Sequence, residues 1–319
     1  QSARRLGLNE RAKELLALFQ AMDGNPQARL AEIKYTRMGP KAMTVVADAE
    51  STSPQIIPEG PLFAASIAVE GGASFSQRAS CTACDIDGDG DVDVFATGLE
   101  SGGNLLLLNE GGRLQATSDH VLCDVQQVRA VLWGDVDDDG LLDAYLCRNG
   151  VNELWRQGDT GWSKSEDSVV GDGAFDTVDG ALFDADHDGD LDVFCVNADG
   201  PDALINNNRD GSYTRVGEDV FGSAGVGSRQ VLIADLDHDR DVDLVVIATG
   251  GNHVYINDRL WNWRVAGEAF DDFRSAEIDA AVSGDLEAVG QQWMYAAGPK
   301  GIQLWRDLEG LWSPLQKSD

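Results

Sequence analysis

Residues 85–93 read DIDGDGDVD and place an aspartate at every second position. Three further segments align with this one without gaps, namely DVDDDGLLD at 135–143, DADHDGDLD at 184–192 and DLDHDRDVD at 235–243. Their first residues are 50, 49 and 51 positions apart, and a fifth copy, which has lost its acidic residues at positions 5 and 9, begins at Asp285. Repetition at this period predicts a propeller, a solenoid or an array of small units.

The sequence between the aspartate loops predicts four short strands per repeat. In residues 129–166, RAVLW leads into a loop, LDAYLC leaves it, and NELWR and GWSKS follow. Each run is bounded by Gly, Asn or Asp, as short antiparallel strands are. Four strands per repeat, arranged radially, form the blade of a β-propeller. We therefore predict an all-β fold, a β-propeller of four-stranded antiparallel blades.

The repeats do not cover the whole chain, which has 319 residues. Five full units extend from about residue 81 to 316, and residues 42–70 predict a shortened blade, so the ring has six blades, or seven if further sequence completes it. Residues 1–40 have helical patterning with two caps, which predicts a helical hairpin. The predicted domains are thus a hairpin at 1–40 and a propeller at 41–319.

The charge of the chain is concentrated in the loops. The chain has 55 Asp and Glu against 24 Lys and Arg, a net charge of -31, and the four loops hold 20 of those acids. Such acidity argues against a nucleic-acid partner and an anionic membrane surface. The sequence has no apolar run that would span a bilayer and no signal-peptide core at its start, so we expect any export signal to lie outside this sequence.

Carboxylates at positions 1, 3, 5 and 9 of one loop would curl around a common centre. Two such charges near 4 Å repel by roughly 4 kcal/mol at an effective dielectric constant of about 20, and a divalent cation removes that cost. Oxygen ligands on a flexible loop favour Ca²⁺ over Zn²⁺ and Mg²⁺. An EF-hand is excluded, because it needs a glutamate at position 12 and flanking helices.

Each loop therefore predicts one calcium site, with position 7 offering its backbone carbonyl and a glycine at position 6 allowing the turn. Arg240 replaces that glycine in the fourth loop, so we expect a strained turn and a weaker site there. The predicted ligands of up to four Ca²⁺ ions are Asp85, Asp87, Asp89, Asp91, Asp93, Asp135, Asp137, Asp139, Leu141, Asp143, Asp184, Asp186, Asp188, Asp190, Asp192, Asp235, Asp237, Asp239, Asp241 and Asp243.

The DxDxDGxxD loops, repeated about every 50 residues between strands, resemble the FG-GAP/VCBS repeats of integrin α-subunit propellers. The resemblance covers roughly residues 60–316 and is closer to bacterial VCBS-repeat proteins, some of which carry tetratricopeptide repeats upstream, which residues 1–40 partly resemble. It implies a propeller whose blade hairpins bind Ca²⁺.

No catalytic motif accompanies the repeats: HExxH, GxSxG and a phosphate-binding loop are all missing from the sequence. His187 and His238 occupy position 4 of their loops, where we expect side chains to face solvent, and the five cysteines define no disulfide framework, although a bridge at Cys123 stays open. We predict a non-enzymatic, calcium-stabilised module for protein–protein interaction, adhesion or scaffolding. The alternative is a carbohydrate-binding propeller, or the propeller of a polysaccharide-active enzyme.

The predicted location is extracellular, cell-surface or periplasmic. Calcium sites of the weak class fill at millimolar Ca²⁺, which is found outside the cytoplasm.

The metal hypothesis predicts the behaviour of Asp139→Ala. The substitution should lower the melting temperature of the protein in Ca²⁺ and hardly change it in chelator, because it removes a ligand that matters only when the ion is bound. Equal destabilisation in both conditions, measured by thermal unfolding, would exclude a metal site at this loop.

Overall fold

A computed structural model of the chain describes residues 74–171, 173–222, 227–237, 239–259, 261–284, 293–308 and 311–314. All of them belong to the compact unit Ala65–Asp319. The helical hairpin predicted at 1–40, the shortened blade at 42–70 and the eroded loop beginning at Asp285 lie outside the described residues. These three stay predictions.

The described residues form twenty strands, which follow one another in antiparallel groups of four. In chain order the strands are β1 (Phe75–Cys84), β2 (Asp93–Leu99), β3 (Leu105–Asn109), β4 (Leu114–Thr117), β5 (Val128–Gly134), β6 (Asp143–Val151), β7 (Glu153–Gly158), β8 (Gly161–Lys164), β9 (Ala174–Phe183), β10 (Asp192–Asn197), β11 (Ala203–Asn207), β12 (Tyr213–Val216), β13 (Ser228–Ala234), β14 (Asp243–Ala248), β15 (His253–Asn257), β16 (Trp263–Val265), β17 (Ala280–Gly284), β18 (Trp293–Gly298), β19 (Gly301–Leu308) and β20 (Leu311–Pro314). The predicted all-β class and the four-stranded antiparallel repeat are confirmed.

Each group of four is a meander, with neighbouring strands joined by short hairpins. The second and third groups are also linked edge to edge, because the end of β6 pairs with the start of β9 through Asn149↔Asp176 and Val151↔Ala174. Short helical turns precede the first strand of three groups: Val121–Asp124, α1 (Glu218–Phe221) and Glu268–Phe270 with α2 (Asp271–Arg274).

The core consists of apolar layers between consecutive sheets. Between the third and fourth sheets, Phe194, Phe221 and Tyr255 pack edge to face, with ring centroids 5.3 and 4.9 Å apart. The second strands face such a layer on both sides, and β10 and β14 are therefore buried along their whole length. This explains why they are continuous apolar runs without the alternation typical of a half-exposed strand.

The first strands of successive sheets approach one another. Asp176 on β9 accepts hydrogen bonds from Arg129 on β5, at 2.8 Å, and from Arg78 on β1, at 2.7 Å. One carboxylate therefore contacts the two preceding sheets. Such convergence is expected where inner strands gather around a common axis.

A repeated polar residue stabilises the turn between the second and third strand of the first four sheets. Asn252, for example, accepts a hydrogen bond from the Ala248 amide and donates to the carbonyls of Phe273 and Ala276. These buried residues are Asn104, Asn152, Asp202 and Asn252. Sequence analysis missed them, although their spacing follows the repeat.

Two further expectations concern disulfide bonds and membrane-spanning segments. All five cysteines lie within the described residues and are free, so the bridge considered for Cys123 does not form, and Cys123, Cys147 and Cys195 are buried. Among the described residues there is no helix with the length and apolar character needed to cross a membrane.

Asp176→Asn tests the convergence of the inner strands. The substitution removes the charge that holds two arginines, and we expect it to lower the free energy of unfolding by about 1–3 kcal/mol. Asp159→Asn, in the exposed turn between β7 and β8, is the control and should change this free energy by less than about 0.5 kcal/mol. Equal effects in chemical denaturation would contradict the shared role of Asp176.

Candidate metal centres

Each aspartate loop connects the first and second strands of a sheet, and its carboxylates converge. In every loop three aspartates offer oxygen atoms that all lie within 4.8 Å of one another. The triads are Asp85, Asp87 and Asp93; Asp135, Asp137 and Asp143; Asp184, Asp186 and Asp192; and Asp235, Asp237 and Asp239. The structure therefore brings positions 1, 3 and 9 together in three loops, and positions 1, 3 and 5 in the fourth.

Backbone amides of the loop donate hydrogen bonds to the carboxylates at positions 1 and 5 and hold them in place. In the second loop, Asp135 accepts hydrogen bonds from the amides of Asp139, at 3.1 Å, and Gly140, at 2.9 Å. Asp139, at position 5, accepts from the Leu141 amide at 2.8 Å. These bonds fold the loop back over its first residue, which is how alternate aspartates come to face one centre.

The turn requires positive φ at position 6, as the sequence predicted. Gly90, Gly140 and Gly189 have φ between +90° and +97°, and Arg240 adopts +78° in the fourth loop. The left-handed region costs a residue with a side chain about 1–2 kcal/mol, so the expected strain at Arg240 is present. Position 4 is also left-handed, with φ of +64° at His187, which sequence analysis did not predict.

The ninth aspartate is buried and joins the loop to the third strand. Asp143 accepts hydrogen bonds from the amide of Val136, at position 2, and from that of Gln157 on β7, both at 2.9 Å. The equivalent residues Asp93, Asp192 and Asp243 make the same pair of bonds, and all four are at most 1% exposed. The aspartate at position 9 is thus a hydrogen-bond acceptor that stabilises the sheet as well as a candidate metal ligand.

Burial disfavours the charge on three of these carboxylates in the chain without metal. Loss of hydration, together with the smaller effect of neighbouring aspartates in the same loop, raises the pKa of Asp143 to about 6 and those of Asp192 and Asp243 to about 7. A bound cation would oppose both effects.

The seventh residue directs its side chain towards the turn between the third and fourth strands. Asp91 accepts a hydrogen bond from the Gly111 amide at 3.1 Å, and Asp241 accepts one from Arg259 at 2.5 Å. The side chain is therefore engaged away from the triad. The same position accommodates Leu141 in the second loop, as expected if only its backbone carbonyl were a ligand.

The expectation that His187 faces solvent was wrong. Its Nε2 lies 2.5 Å from Oδ1 of Asp241 in the next loop, and the side chain is only 25% exposed. Packing of one sheet against the next brings position 4 of the third loop to position 7 of the fourth, which the sequence of a single repeat does not reveal. His238 lies outside the described residues.

The donor set fits a hard divalent cation. Every atom that the triads offer is a carboxylate oxygen, as Ca²⁺ and Mg²⁺ prefer. In addition, Oδ1 of Asp235 is buried and accepts no hydrogen bond from the described part of the chain. A buried carboxylate oxygen without a donor is costly, and a bound cation would satisfy it.

Sequence comparison identifies the repeats. The FG-GAP-like repeat family matches residues 85–146 and 184–246, and each match begins at the first aspartate of one loop and includes the next loop. The FG-GAP resemblance drawn from the loops is thus confirmed over these residues, and the chain contains FG-GAP-like repeats. No curated protein matches the chain.

Many solved structures are similar to the chain, and they include the following three. A lectin from Agrocybe aegerita that recognises non-reducing terminal N-acetylglucosamine matches over 76% of this chain and 66% of its own, with 17% identity and a TM-score of 0.52. The Tc holotoxin pore of Photorhabdus luminescens matches over 76% of this chain and 13% of its own, with 16% identity and a TM-score of 0.35. The biofilm matrix protein Bap1 of V. cholerae matches over 76% of this chain and 31% of its own, with 16% identity and a TM-score of 0.29. The likeness to the lectin concerns the fold.

The raised pKa values predict opposite effects of pH with and without metal. Asp143, Asp192 and Asp243 have a pKa of about 6–7 when folded but about 3.9 when unfolded, so the folded chain binds extra protons as the pH falls through this interval. The melting temperature in chelator should therefore rise between about pH 8 and pH 5.5.

In Ca²⁺ the same protons compete with the ion, so the increase in melting temperature that Ca²⁺ produces should shrink over this interval. Thermal unfolding at both pH values, with and without Ca²⁺, checks both trends. An increase that is the same at both pH values would show that these carboxylates do not contact the ion.

Proposed function

We propose that the chain is a calcium-stabilised β-propeller that serves as a protein-binding module outside the cytoplasm. The observation that carries the calcium assignment is the recurrence of three converging carboxylates in all four loops. Ca²⁺ accepts an all-protein cage of oxygen ligands, whereas Mg²⁺ usually retains several water molecules. Up to four ions would bind, one in each loop.

In this proposal, bound calcium would increase the free energy of unfolding of the chain. A site with a dissociation constant of about 0.1 mM in about 1 mM Ca²⁺ adds roughly 1.4 kcal/mol to the free energy of unfolding. The loops are short, and each one joins two strands, the second of which begins at the buried ninth aspartate. Occupied loops would therefore hold successive sheets in register.

The propeller assignment is supported by the convergence of the first strands, by the layers between sheets and by the likeness to the lectin fold. We propose six blades, five of them in the repeats and one from residues 42–70.

A binding role is favoured by the FG-GAP-like repeats, which resemble those of integrin α-subunits. The sequence has no catalytic motif, and we propose that the module is not an enzyme. The proposed location is the cell surface, the periplasm or the extracellular space, because calcium sites of the weak class fill only at the millimolar Ca²⁺ found there.

A groove on the fourth sheet favours carbohydrate as a second candidate ligand. The groove encloses about 660 Å³ and lies at the end of β14 opposite the aspartate loop, lined by Thr249, Gly250, Gly251, Asn252, His253, Asp271, Asp272, Arg274 and Ser275. It combines carboxylates, hydroxyls and a guanidinium, which can both accept and donate hydrogen bonds to a polyol. Burial lowers the pKa of His253, which keeps this imidazole neutral.

Capture from native envelope extract distinguishes the two candidates. The immobilised chain, in Ca²⁺ and in chelator, should retain one stoichiometric protein only in Ca²⁺, and the purified protein should then bind the chain directly. A matched control replaces Asp137 and Asp186, each from a different triad, by Asn. Retention of the same protein in chelator would contradict a calcium-dependent interaction.

A glycan array provides the other arm of the test. Binding of a glycan that is lost in Arg274→Ala, with the melting temperature unchanged, would replace the protein-binding proposal by the carbohydrate one. Glycan binding that survives this substitution would exclude the groove as the binding site.

A further inference from the structure

Side chains connect three of the four aspartate loops to one another. Arg209, in the turn between β11 and β12, donates a hydrogen bond to the carbonyl of Asp188 at 2.6 Å. The same guanidinium lies 3.9 Å from the carboxylate of Asp190 and 3.5 Å from that of Asp138. Arg209 therefore contacts position 4 of the second loop and positions 5 and 7 of the third.

The third and fourth loops are connected through the same loop positions, namely position 4 of one loop and position 7 of the next. His187, at position 4 of the third loop, lies 2.5 Å from Asp241, at position 7 of the fourth. Arg259, the repeat equivalent of Arg209, donates to the other oxygen of Asp241 at 2.5 Å and to the carbonyl of Asp239 at 3.1 Å.

Two asparagines at the ends of third strands add a second connection. The Asn207 amide donates to Asp192 of its own loop, and its side chain donates to the carbonyl of Val136 in the preceding loop, at 2.8 Å. Asn257 does the same with Asp243 and with the carbonyl of Ala185, at 2.9 Å. Each asparagine thus joins the ninth aspartate of one loop to position 2 of the loop before it.

The junction between the first and second loops lacks these connections in the described part of the chain. Gln157 occupies the place of Asn207 and Asn257, and its amide donates to Asp143, but its side chain makes no hydrogen bond to the first loop. Asp159 stands where the third and fourth sheets have Arg209 and Arg259. The first loop is therefore a natural internal comparison.

We propose that calcium binding to the second, third and fourth loops is cooperative, while the first loop binds its ion independently. An ion fixes the positions of its loop, and Arg209, His187 and the two asparagines then hold the neighbouring loop in the arrangement that its own ion requires. The second ion has less conformational entropy to lose, which is positive cooperativity between sites. This inference rests on the proposed binding of calcium by the loops.

The experiment is a calcium titration of the full chain, with the number of bound ions resolved by native mass spectrometry. Species with two ions should be depleted relative to independent sites, because they need a partly filled coupled group, whereas one and three ions can be reached by filling the first loop alone or the coupled group alone. Affinity within the coupled group should rise about 5- to 20-fold between the first and last ion. Four ions bound with the distribution of independent sites would overturn the coupling and leave the calcium proposal standing. No bound ions would overturn both.

Variants outside the ligand set identify the connecting residues. The double variant Arg209→Asn and His187→Asn removes both long side chains and keeps a residue that tolerates positive φ, which the two positions adopt at +61° and +64°. It should bind four ions with the depletion of the two-ion species weakened, because only the asparagine connections remain, whereas the control Asp159→Asn should behave as the natural chain does. Undiminished cooperativity in the double variant would overturn the role of these two residues.

Gln157→Asn tests the same mechanism by adding a connection. The new side chain should donate to the carbonyl of Ile86 as Asn207 does to that of Val136, so that the first loop joins the cooperative group and species with one to three ions are all depleted. An unchanged distribution, with the variant folded by circular dichroism, would contradict the assignment of coupling to the asparagines.

Discussion

The buried carboxylate at the ninth position of each loop is the interaction on which the rest of the structure depends. It accepts hydrogen bonds from the second residue of its loop and from the third strand, and so it joins the first three strands of a sheet at one end. Without that carboxylate the loop would have no fixed position relative to the sheet. Burial also raises the pKa of this carboxylate in the second, third and fourth loops, which would make a compensating cation favourable there. In the first three loops, this structural acceptor is also one of the three converging carboxylates that could hold a metal ion.

The repeat was enough to predict the fold class, because alternate aspartates and apolar runs recur with a fixed period and each run is too short for a helix. It also predicted the convergence of carboxylates within a loop and the strained turn at Arg240. It could not predict the contacts between loops, since His187 and Asp241 are 54 positions apart and meet only when sheets stack. Arg209 and Arg259 were missed for the same reason, although both follow an asparagine by two residues and are 50 positions apart.

The two ends of the first four sheets have different chemistry. At one end are the aspartate loops, with their carboxylates and arginines; at the other are turns stabilised by one buried asparagine or aspartate, and short helical turns follow the first, third and fourth of these sheets. The second strand spans the distance between them and is buried in the third and fourth sheets. Ions at the first end would therefore fix the framework, and the turns and helices at the second end are free to differ between repeats. The groove beside Arg274 is one result of that difference.

The melting temperature of the natural chain as a function of free Ca²⁺, with Mg²⁺ as the comparison, tests the central claim most directly. Four calcium sites that form only in the folded chain predict a melting temperature that rises steadily with Ca²⁺ and returns to its starting value in chelator. Mg²⁺ at the same concentrations should produce a much smaller rise. A melting temperature that is the same in Ca²⁺, Mg²⁺ and chelator would contradict the account.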